Sequence, residues 1–282
     1  MARTTTLYVS DLDGTLLDAN SQLSPESIAT LNHLITRQGA LFTVATARTP
    51  ATVVPLLQQV RTTLPFVVMA GAAMWDNASR TLLHVQKIDP EIERAIVAIY
   101  ERHGLQPFIY RQHGHVLHAH HVGAMSASEE AFVAQRQGSP YKRFLLDAPA
   151  YEPSPDPAML IFSMNDYGRL EQVYREVVAT TPCEAMFYHD IFDPHEGLLE
   201  IYRKGTTKAA AIRRLAQEVG ATRIVAFGDN RNDIAMLQAA DVAVAVENAV
   251  PEVKAVAHSV IGPNTAHSVA RYIERDLETQ GE

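Results

Sequence analysis

Cysteine is almost absent from this 282-residue sequence, which contains a single one, Cys183. One thiol excludes an internal disulfide and leaves too few sulfur ligands for a cysteine-built zinc site. Long apolar runs are absent as well, because no uninterrupted stretch approaches the roughly 18 residues of a membrane-spanning helix. The first six residues lead directly into a strand-like segment and contain no apolar signal region. We therefore expect a cytoplasmic protein with no membrane partner.

An excess of positive charge is also missing. The sequence has 24 Lys and Arg against 32 Asp and Glu, a net charge of −8 with neutral histidines. Such a balance argues against a non-specific nucleic-acid binder, which needs a basic stripe. It does not exclude a small anionic substrate, because a metal ion and a few local cations can reverse the field inside one cleft. The oligomeric state stays open between a monomer and a dimer.

Strand and helix signals alternate at both ends of the chain. Ser24 before Pro25 predicts a helix start, Gly39 predicts its end, and Thr206 is the expected cap of a later helix. The β-α-β alternation predicts a parallel sheet with helices on both faces, the doubly wound α/β class. The predicted strands are 7–12, 40–45, 65–70, 198–202, 223–227 and 242–246, and the predicted helices are 25–38, 50–60, 206–219, 232–239, 251–257 and 266–277.

The middle of the chain differs, with several prolines and longer irregular connections. Its predicted helices are 90–102, 126–135 and 167–179, and its predicted strands are 107–110, 115–120, 158–164 and 185–188. We interpret this segment as a second, α+β domain that is inserted into the first. The expected division is a core of residues 1–82 and 196–282 around an inserted domain of residues 83–195.

Two acidic residues separated by one position follow the first predicted strand, in the segment Asp11-Leu12-Asp13-Gly14-Thr15. Ligands of open α/β sheets bind at the carboxyl ends of the strands. Two carboxylates there can hold a hard divalent cation, and one can attack phosphorus while the other donates a proton to the leaving group. The segment therefore predicts phosphoryl chemistry, against the alternative of a strand-terminal turn with solvated acids.

A hydroxyl group follows the second predicted strand, at Thr46. At a strand terminus before a helix start, such a hydroxyl can donate to a phosphoryl oxygen. The alternative is that Thr46 caps the helix that follows. Arg48, two residues later, either reaches the same cleft or packs on that helix.

A lysine begins a predicted helix in the segment Lys204-Gly205-Thr206-Thr207-Lys208. A lysine at a helix N-terminus opposes the macrodipole and lowers stability unless an anion lies nearby. Lys208 is therefore a candidate for neutralising a phosphoryl group and a nucleophilic carboxylate, whereas Lys204 is expected to be solvated.

Acidic and amide side chains follow a further strand in the segment Gly228-Asp229-Asn230-Arg231-Asn232-Asp233. Acids here can complete the metal coordination begun by Asp11 and Asp13, and the amide of Asn232 can bind a phosphate. The alternative is an acid that caps the next helix beside a solvated neighbour.

In order and spacing, these four segments resemble the motifs of the haloacid dehalogenase superfamily of aspartate-nucleophile phosphatases. The chain is most similar to the Cof-like branch, which carries a large α+β cap of type C2B (subclass IIB) between the second and third motifs. The resemblance covers essentially the whole chain. It implies a Rossmann-like core with an inserted cap that sets specificity, and Mg²⁺-dependent hydrolysis of a small phosphorylated metabolite, such as a sugar phosphate, through an aspartyl-phosphate.

The resemblance also implies roles for individual residues. Asp11 matches the nucleophile and Asp13 the general acid and base. Mg²⁺ would be held by the carboxylates of Asp11 and Asp229 and by the backbone carbonyl of Asp13. The positions that bind the phosphoryl group are Thr46, Lys208 and Asn232, and the acid that supports the metal's waters or Lys208 is Asp233.

Two positions depart from the family pattern. Ala47 stands where glycine is frequent, and Ala70 stands where asparagine is frequent. The missing amide at Ala70 removes a hydrogen bond near the first-motif loop and leaves open how that loop is braced. Asn248 matches a late family segment and is expected to close the floor of the cleft.

Two questions stay open at this stage. The same chemistry serves a phosphotransferase or phosphomutase, and a non-catalytic protein that binds phosphorylated metabolites is a further alternative. A second metal site is one interpretation of the histidines around Gly114, and an exposed or substrate-facing surface is the other. These histidines are His113, His115, His118, His120 and His121.

Overall fold

A computed structural model describes residues 4–148, 150–190 and 193–280. The chain divides into two compact units: a core unit of Met1–Leu83 with Thr207–Glu282, and an inserted unit of His84–Thr206. Residues 1–3, part of the segment from which we inferred the absence of a signal region, lie outside the described residues. Within the described ranges, no helix combines the length and the apolar character needed to cross a membrane.

The core unit is built on a five-stranded parallel sheet with the order β14-β13-β12-β1-β2. The chain moves outward from β1 to β2 on one side and from β12 to β14 on the other, so the sheet is doubly wound. Every residue of β1 is buried, in agreement with its central run Leu7-Tyr8-Val9. The predicted α/β class is confirmed. The strands are β1 Thr6–Ser10, β2 Leu41–Val44, β12 Arg223–Gly228, β13 Val242–Val246 and β14 Ser259–Ile261.

Helix boundaries in the core unit follow local capping signals. Ser24 Oγ accepts a hydrogen bond from the backbone N of Ser27 at 3.0 Å, Pro25 is the first helical residue, and Gly39 adopts φ +73° after the last turn. The predicted helix over 25–38 is therefore confirmed. The helices are α1 Pro25–Gln38, α2 Pro50–Leu57, α6 Lys208–Glu218, α7 Ile234–Ala239, α8 Pro251–Val256 and α9 Ser268–Gln280.

The third predicted strand does not continue the parallel sheet, contrary to expectation. β3 Phe66–Val68 pairs antiparallel with β4 Ala73–Asp76, which pairs with β5 Thr81–Leu83, and only an isolated bridge from Ala45 to Val67 connects it to the end of β2. The cause is a tight turn over Met69–Gly71, whose three residues all have positive φ angles. The chain therefore reverses where the sequence predicted a continuing strand.

The inserted unit is a six-stranded sheet with the order β10-β11-β9-β6-β7-β8, antiparallel except for the pair β7–β8. Side chains of α3 and α5 form an apolar core with alternate residues of the central strands, such as Ile109 and Ile161. Phe132 of α4 packs against the rings of Phe108 and Phe162, which alternation places on the opposite face. The elements are α3 Pro90–Arg102, β6 Phe108–His113, β7 Val116–Val122, α4 Ala127–Arg136, β8 Lys142–Ala148, β9 Leu160–Asp166, α5 Tyr167–Thr180, β10 Glu184–His189 and β11 Glu196–Tyr202.

The second boundary of the inserted unit lies later than residues 195/196, where the sequence placed it. β11 forms hydrogen-bonded ladders with β9 and β10, so it belongs to the inserted sheet, and the unit extends to Thr206. A strand's apolar pattern shows that it is buried but not which sheet it joins, because its partners are distant in sequence.

Candidate active site

Polar residues follow three adjacent strands of the core sheet at the same edge. The pairs Ser10–Phe227 and Ser10–Val44 are in register, so β1, β12 and β2 end at the same level. Asp11 and Asp229 come directly after β1 and β12, and Thr46 lies two residues after the end of β2. β1 is also where the strand order reverses, and crevices at such points bind ligands in open α/β sheets.

The loop after β1 is attached to the loop after β12. Gly14 has φ +75°, and a Cβ added there would lie 2.4 Å from Asp229 Oδ2, so only glycine fits. The neighbouring Thr15 Oγ1 donates to Asp229 Oδ1 at 2.8 Å. The first and fourth sequence segments therefore meet through direct contacts.

Two asparagines brace the same loop from the C-terminal part of the chain. Asn248 Nδ2 donates to the carbonyl of Gly14 at 2.7 Å, and Asn264 Nδ2 donates to the carbonyl of Leu17 at 2.7 Å. The backbone N of Asn264 donates in turn to Asn248 Oδ1 at 3.0 Å. These amides brace the loop after β1, for which Ala70 offers no side-chain amide. Sequence reasoning selected Asn248 and missed Asn264, which no motif marks.

Lys208 is the first residue of α6, and its ammonium is paired with two carboxylates. Nζ donates to Asp11 Oδ1 at 2.5 Å and to Asp233 Oδ1 at 2.7 Å. Burial on its own would lower the pKa of Lys208, but the charges of Asp11 and Asp233 outweigh it and raise that pKa above its ordinary value. The carboxylates are the anions that a lysine at this helix start requires.

The start of α6 differs by one residue from the sequence prediction. Thr207, not Thr206, is the cap, because its side chain accepts a hydrogen bond from the backbone N of Ala210. The turn after β3 packs on this cap: Gly71 has φ +100°, and a Cβ there would lie 2.4 Å from the carbonyl O of Thr207. This close approach holds the base of Lys208 against the core.

Asp11, Asp229 and Asp233 form a compact acidic group. One oxygen from each carboxylate lies within 4.8 Å of the others. Burial, with the negative charge of Asp233, raises the pKa of Asp11 well above its ordinary value, although Lys208 opposes the shift. Burial also raises the pKa of Asp229 to about 6. One lysine does not compensate three carboxylates, so the group is suited to a divalent cation with oxygen ligands.

Asp233 holds the loop after β12 as well as Lys208. It is fully buried, and its Oδ2 accepts hydrogen bonds from the backbone N of Asp229 at 3.1 Å and of Asn230 at 3.2 Å. The neighbouring Asn232 is exposed on a short 3-10 turn, and α7 begins at Ile234 instead of the predicted residue 232. Asn232 is thus at the edge of the group, whereas Asp233 is inside it.

Asp13 is not a member of this acidic group and forms a two-pronged ion pair with Arg48. Arg48 Nε donates to Asp13 Oδ2 at 2.7 Å and Nη2 donates to Oδ1 at 2.5 Å. The Asp13 side chain is half exposed, at 49%. The guanidinium fork fixes the plane of the carboxylate as well as its position. Of the two interpretations of Arg48, the structure supports the one in which it reaches the cleft.

Thr46 is buried beside the end of β3. Its backbone N donates to the carbonyl of Val67 at 3.0 Å, and its Oγ1 accepts from the backbone N of Arg48 at 3.1 Å. The residue before α2 is Thr49, so Thr46 is not the cap of that helix. The hydroxyl hydrogen of Thr46 is not used in the bond with Arg48, because there the oxygen accepts.

The histidines of the inserted unit lie on the β6–β7 hairpin. The rings of His113 and His118 stack at 4.7 Å, whereas His121 is buried against Phe108 on the other face. Within the described part of the chain, the acidic group above is the one set of three side chains with metal-ligand spacing, and these histidines form no such set.

Comparison with known proteins gives matches over almost the whole chain. The model of the haloacid dehalogenase-like hydrolase family matches residues 8–273. An inferred phosphatase of Haemophilus influenzae is 28% identical, over 94% of this chain and 95% of that protein. Pyridoxal phosphate phosphatase YbhA of Escherichia coli is 26% identical, over 97% of this chain and 99% of that protein.

Solved structures show the same fold. A haloacid dehalogenase-like hydrolase from Bacteroides thetaiotaomicron has a TM-score of 0.77 at 23% identity, with 96% of this chain and 99% of that chain covered. The subclass IIB sugar phosphatase BT4131 has a TM-score of 0.74 at 22% identity, with 96% and 99% covered.

Proposed function

Because the chain belongs to the haloacid dehalogenase-like hydrolases, we propose that it is a magnesium-dependent phosphatase that forms an aspartyl-phosphate on Asp11. The observation that carries the proposal is the ion pair between Lys208 and Asp11 beside Asp229 and Asp233. A buried carboxylate next to one lysine and two further acids is suited to nucleophilic attack once a cation balances the charge.

The acidic group fits Mg²⁺ by the chemistry of its donors. Its side chains offer carboxylate oxygens and no sulfur or imidazole, which is the ligand type that hard divalent cations prefer. Asp11 and Asp229 would hold the ion through their carboxylates and Asp13 through its backbone carbonyl, while Asp233 supports Lys208. When bound, the ion cancels the repulsion between the Asp11 carboxylate and a phosphate.

The reaction has two halves on this chain. A carboxylate oxygen of Asp11 attacks phosphorus in line, the P–O bond to the alcohol breaks, and Asp13 protonates the departing oxygen. Asp13 then takes a proton from water, whose oxygen attacks phosphorus and releases phosphate and the free Asp11 carboxylate. Lys208, Thr46 and Asn232 donate to the phosphoryl oxygens that gain charge in both steps.

Arg48 acts on Asp13 as a positioning residue. The two hydrogen bonds from its guanidinium hold the Asp13 carboxylate in one orientation. A general acid and base that serves two steps has to return to the same place, and a bidentate partner limits its rotamers. A single-point ammonium would not impose that plane.

The substrate class is a small phosphorylated metabolite, a sugar phosphate or a similar compound. YbhA is named for pyridoxal phosphate, and a second relative, YitU of Bacillus subtilis, for 5-amino-6-(5-phospho-D-ribitylamino)uracil, which supports this class without selecting a member. We assign substrate specificity to the inserted unit. A screen against phosphorylated metabolites, ranked by kcat/KM, tests the class, and a preference for phosphoproteins would contradict it.

The central experiment is phosphate release from p-nitrophenyl phosphate, with Mg²⁺ and after chelation by EDTA. We expect activity that requires Mg²⁺ and is abolished in Asp11→Asn, because the amide cannot attack phosphorus. A phosphotransferase would instead move the phosphoryl group to an added alcohol, and reaction in ¹⁸O-labelled water separates the two since only hydrolysis labels the phosphate. Absence of turnover, or an Asp11→Asn variant as active as the wild type, would favour the non-catalytic binding protein.

A further inference from the structure

A second buried lysine, Lys142, lies in the inserted unit at the start of β8. The residue is only 5% exposed. Its ammonium is 5.0 Å from the ring centroid of Tyr110 and 5.5 Å from those of Phe132 and Phe144. The ammonium donates a long hydrogen bond, 3.4 Å, to the hydroxyl of Tyr110. Three aromatic faces therefore surround this ammonium.

No carboxylate whose side chain is described compensates the charge of Lys142. Burial and the positive charge of Arg136 act on it in the same direction and lower its pKa to about 7. Aromatic faces attract an ammonium, but by less than the cost of removing it from water without a counter-ion. The site would therefore gain from a negative charge that the described residues do not supply.

A cavity of about 490 Å³ adjoins this lysine. Its lining combines two cations, Lys142 and Arg143, with three apolar residues, Val116, Phe144 and Leu146, and with Gln137, Gly138 and Ser139. The volume is in the range of small-molecule sites, and such sites combine apolar walls with a few polar groups that orient the ligand. Both charged groups of this wall are cations.

We propose that this cavity binds a small organic anion, a carboxylate with an apolar body, whose carboxylate pairs with Lys142. The body packs on Val116, Phe144 and Leu146. An organic carboxylate suits the cavity better than inorganic phosphate does. Its apolar body can pack on the three apolar side chains, whereas phosphate is a hydrated dianion with no apolar part. The site is made by the inserted unit alone, so the proposal does not depend on the chemistry of Asp11.

Proton uptake is the signature that distinguishes this site from a surface contact. In the free protein at pH 8 the amine of Lys142 is mostly neutral, since its pKa is about 7. A carboxylate beside it favours the ammonium, so binding takes a proton from the buffer. Surface lysines are already protonated at this pH and give no such uptake.

The test is calorimetric titration of the full chain with benzoate at pH 8, in two buffers of different ionisation enthalpy. We expect saturable binding with uptake of about one proton per benzoate. In Lys142→Met the uptake disappears and affinity falls at least about tenfold, whereas Lys204→Met, which removes an exposed lysine of the same unit, changes neither. Val116→Phe fills the cavity, retains the ammonium and weakens binding.

Several results would overturn the proposal. One is the absence of saturable benzoate binding, and another is equal affinity in Lys142→Met and the wild type. Equal binding of neutral benzamide would remove the role of charge. Phosphate binding that depends on Lys142, without benzoate binding, would overturn the organic-anion assignment. Loss of benzoate binding in Asp11→Asn would place the benzoate site at the acidic group. Benzoate binding that persists in this variant supports a separate site.

Discussion

The core unit and the inserted unit each bury one lysine, and the surroundings give the two residues opposite character. Lys208 lies between Asp11 and Asp233, which raise its pKa. Lys142 lies among aromatic rings and beside Arg136, and its pKa falls to about 7. Burial is nearly equal, at 4% and 5% exposed, so burial does not cause the difference. Neighbouring charges decide whether a buried lysine is a permanent cation or a group that can change its charge near neutrality.

Removal of Lys208 should have the largest effect. Lys208→Met takes away the cation that neutralises Asp11 and donates to the phosphoryl group, so kcat with p-nitrophenyl phosphate should fall on the order of 10²–10³-fold. It also leaves two buried carboxylates without their partner, which costs roughly 3–5 kcal/mol of unfolding free energy. Mg²⁺-saturated kinetics and urea unfolding measure both effects, and Lys204→Met is the control. Unchanged kcat would remove Lys208 from the proposed mechanism.

Removal of Lys142 should have the opposite effect on stability. Its folded pKa of about 7 lies below the unfolded value of 10.5, so the unfolded state binds more protons between these pH values, and Lys142 destabilises the fold as pH falls through that window. Lys142→Met should therefore be more stable than the wild type by roughly 2–4 kcal/mol at pH 7.

The pH dependence makes this prediction specific. The stability difference between Lys142→Met and the wild type should be largest below pH 7, where the folded lysine is charged, and should shrink as pH rises toward about 10. Urea unfolding at pH 6.5, 8 and 9.5 measures the trend. A difference that does not change with pH would mean that packing, not charge, separates the two proteins.

Arg48 differs from both buried lysines, because it is paired with a carboxylate and is partly exposed. Arg48→Lys keeps the charge and loses the fork, so the Asp13 carboxylate gains rotational freedom. We expect kcat to fall about tenfold with a smaller change in KM. Arg37→Lys, at an exposed position in the last turn of α1, is the matched control. A rise in KM for p-nitrophenyl phosphate with kcat unchanged would indicate substrate binding instead of positioning.

The smallest effect on stability is expected at Ala70, which lies in the turn that packs on the start of α6 and has no charged side chain. Ala70 has φ +52°, where a Cβ is strained, so Ala70→Gly should stabilise the fold by about 0.5–1 kcal/mol. Ala72 has φ −65°, and Ala72→Gly should destabilise by a similar amount because glycine gains freedom in the unfolded chain. Thermal unfolding measures both variants. Equal signs for the pair would show that the backbone angle is not the cause.

The sequence predicted the limits of helices and strands correctly where residues close in the chain set those limits. The limits of α1 follow from Ser24, Pro25 and Gly39, which act within a few residues. The limits of α3 and β13 agree with prediction for the same reason. The edge strand β8 escaped prediction because its sequence begins with two cations, and one of these, Lys142, is buried by partners from other elements.

Site residues were found when a motif marked them and missed when only a contact did. Asp11, Lys208, Asp229 and Asp233 come from three segments of the sequence, and the structure brings their side chains together. Their catalytic roles stay predictions that the kinetic variants test. Asn264 has no motif, and its function is visible only as a hydrogen bond to the carbonyl of Leu17.

The sequence by itself determined the family, the α/β class and the order of polar residues after the strands of the core, because these depend on local patterns and on parallel strands ending at one edge. Tertiary structure alone decided which sheet received β11, how Arg48 meets Asp13, and what surrounds each buried lysine. Those outcomes depend on neighbours far away in the chain. The protonation state of a buried group depends on the groups within a few ångströms of it in space. Their distance along the sequence does not show which groups these are.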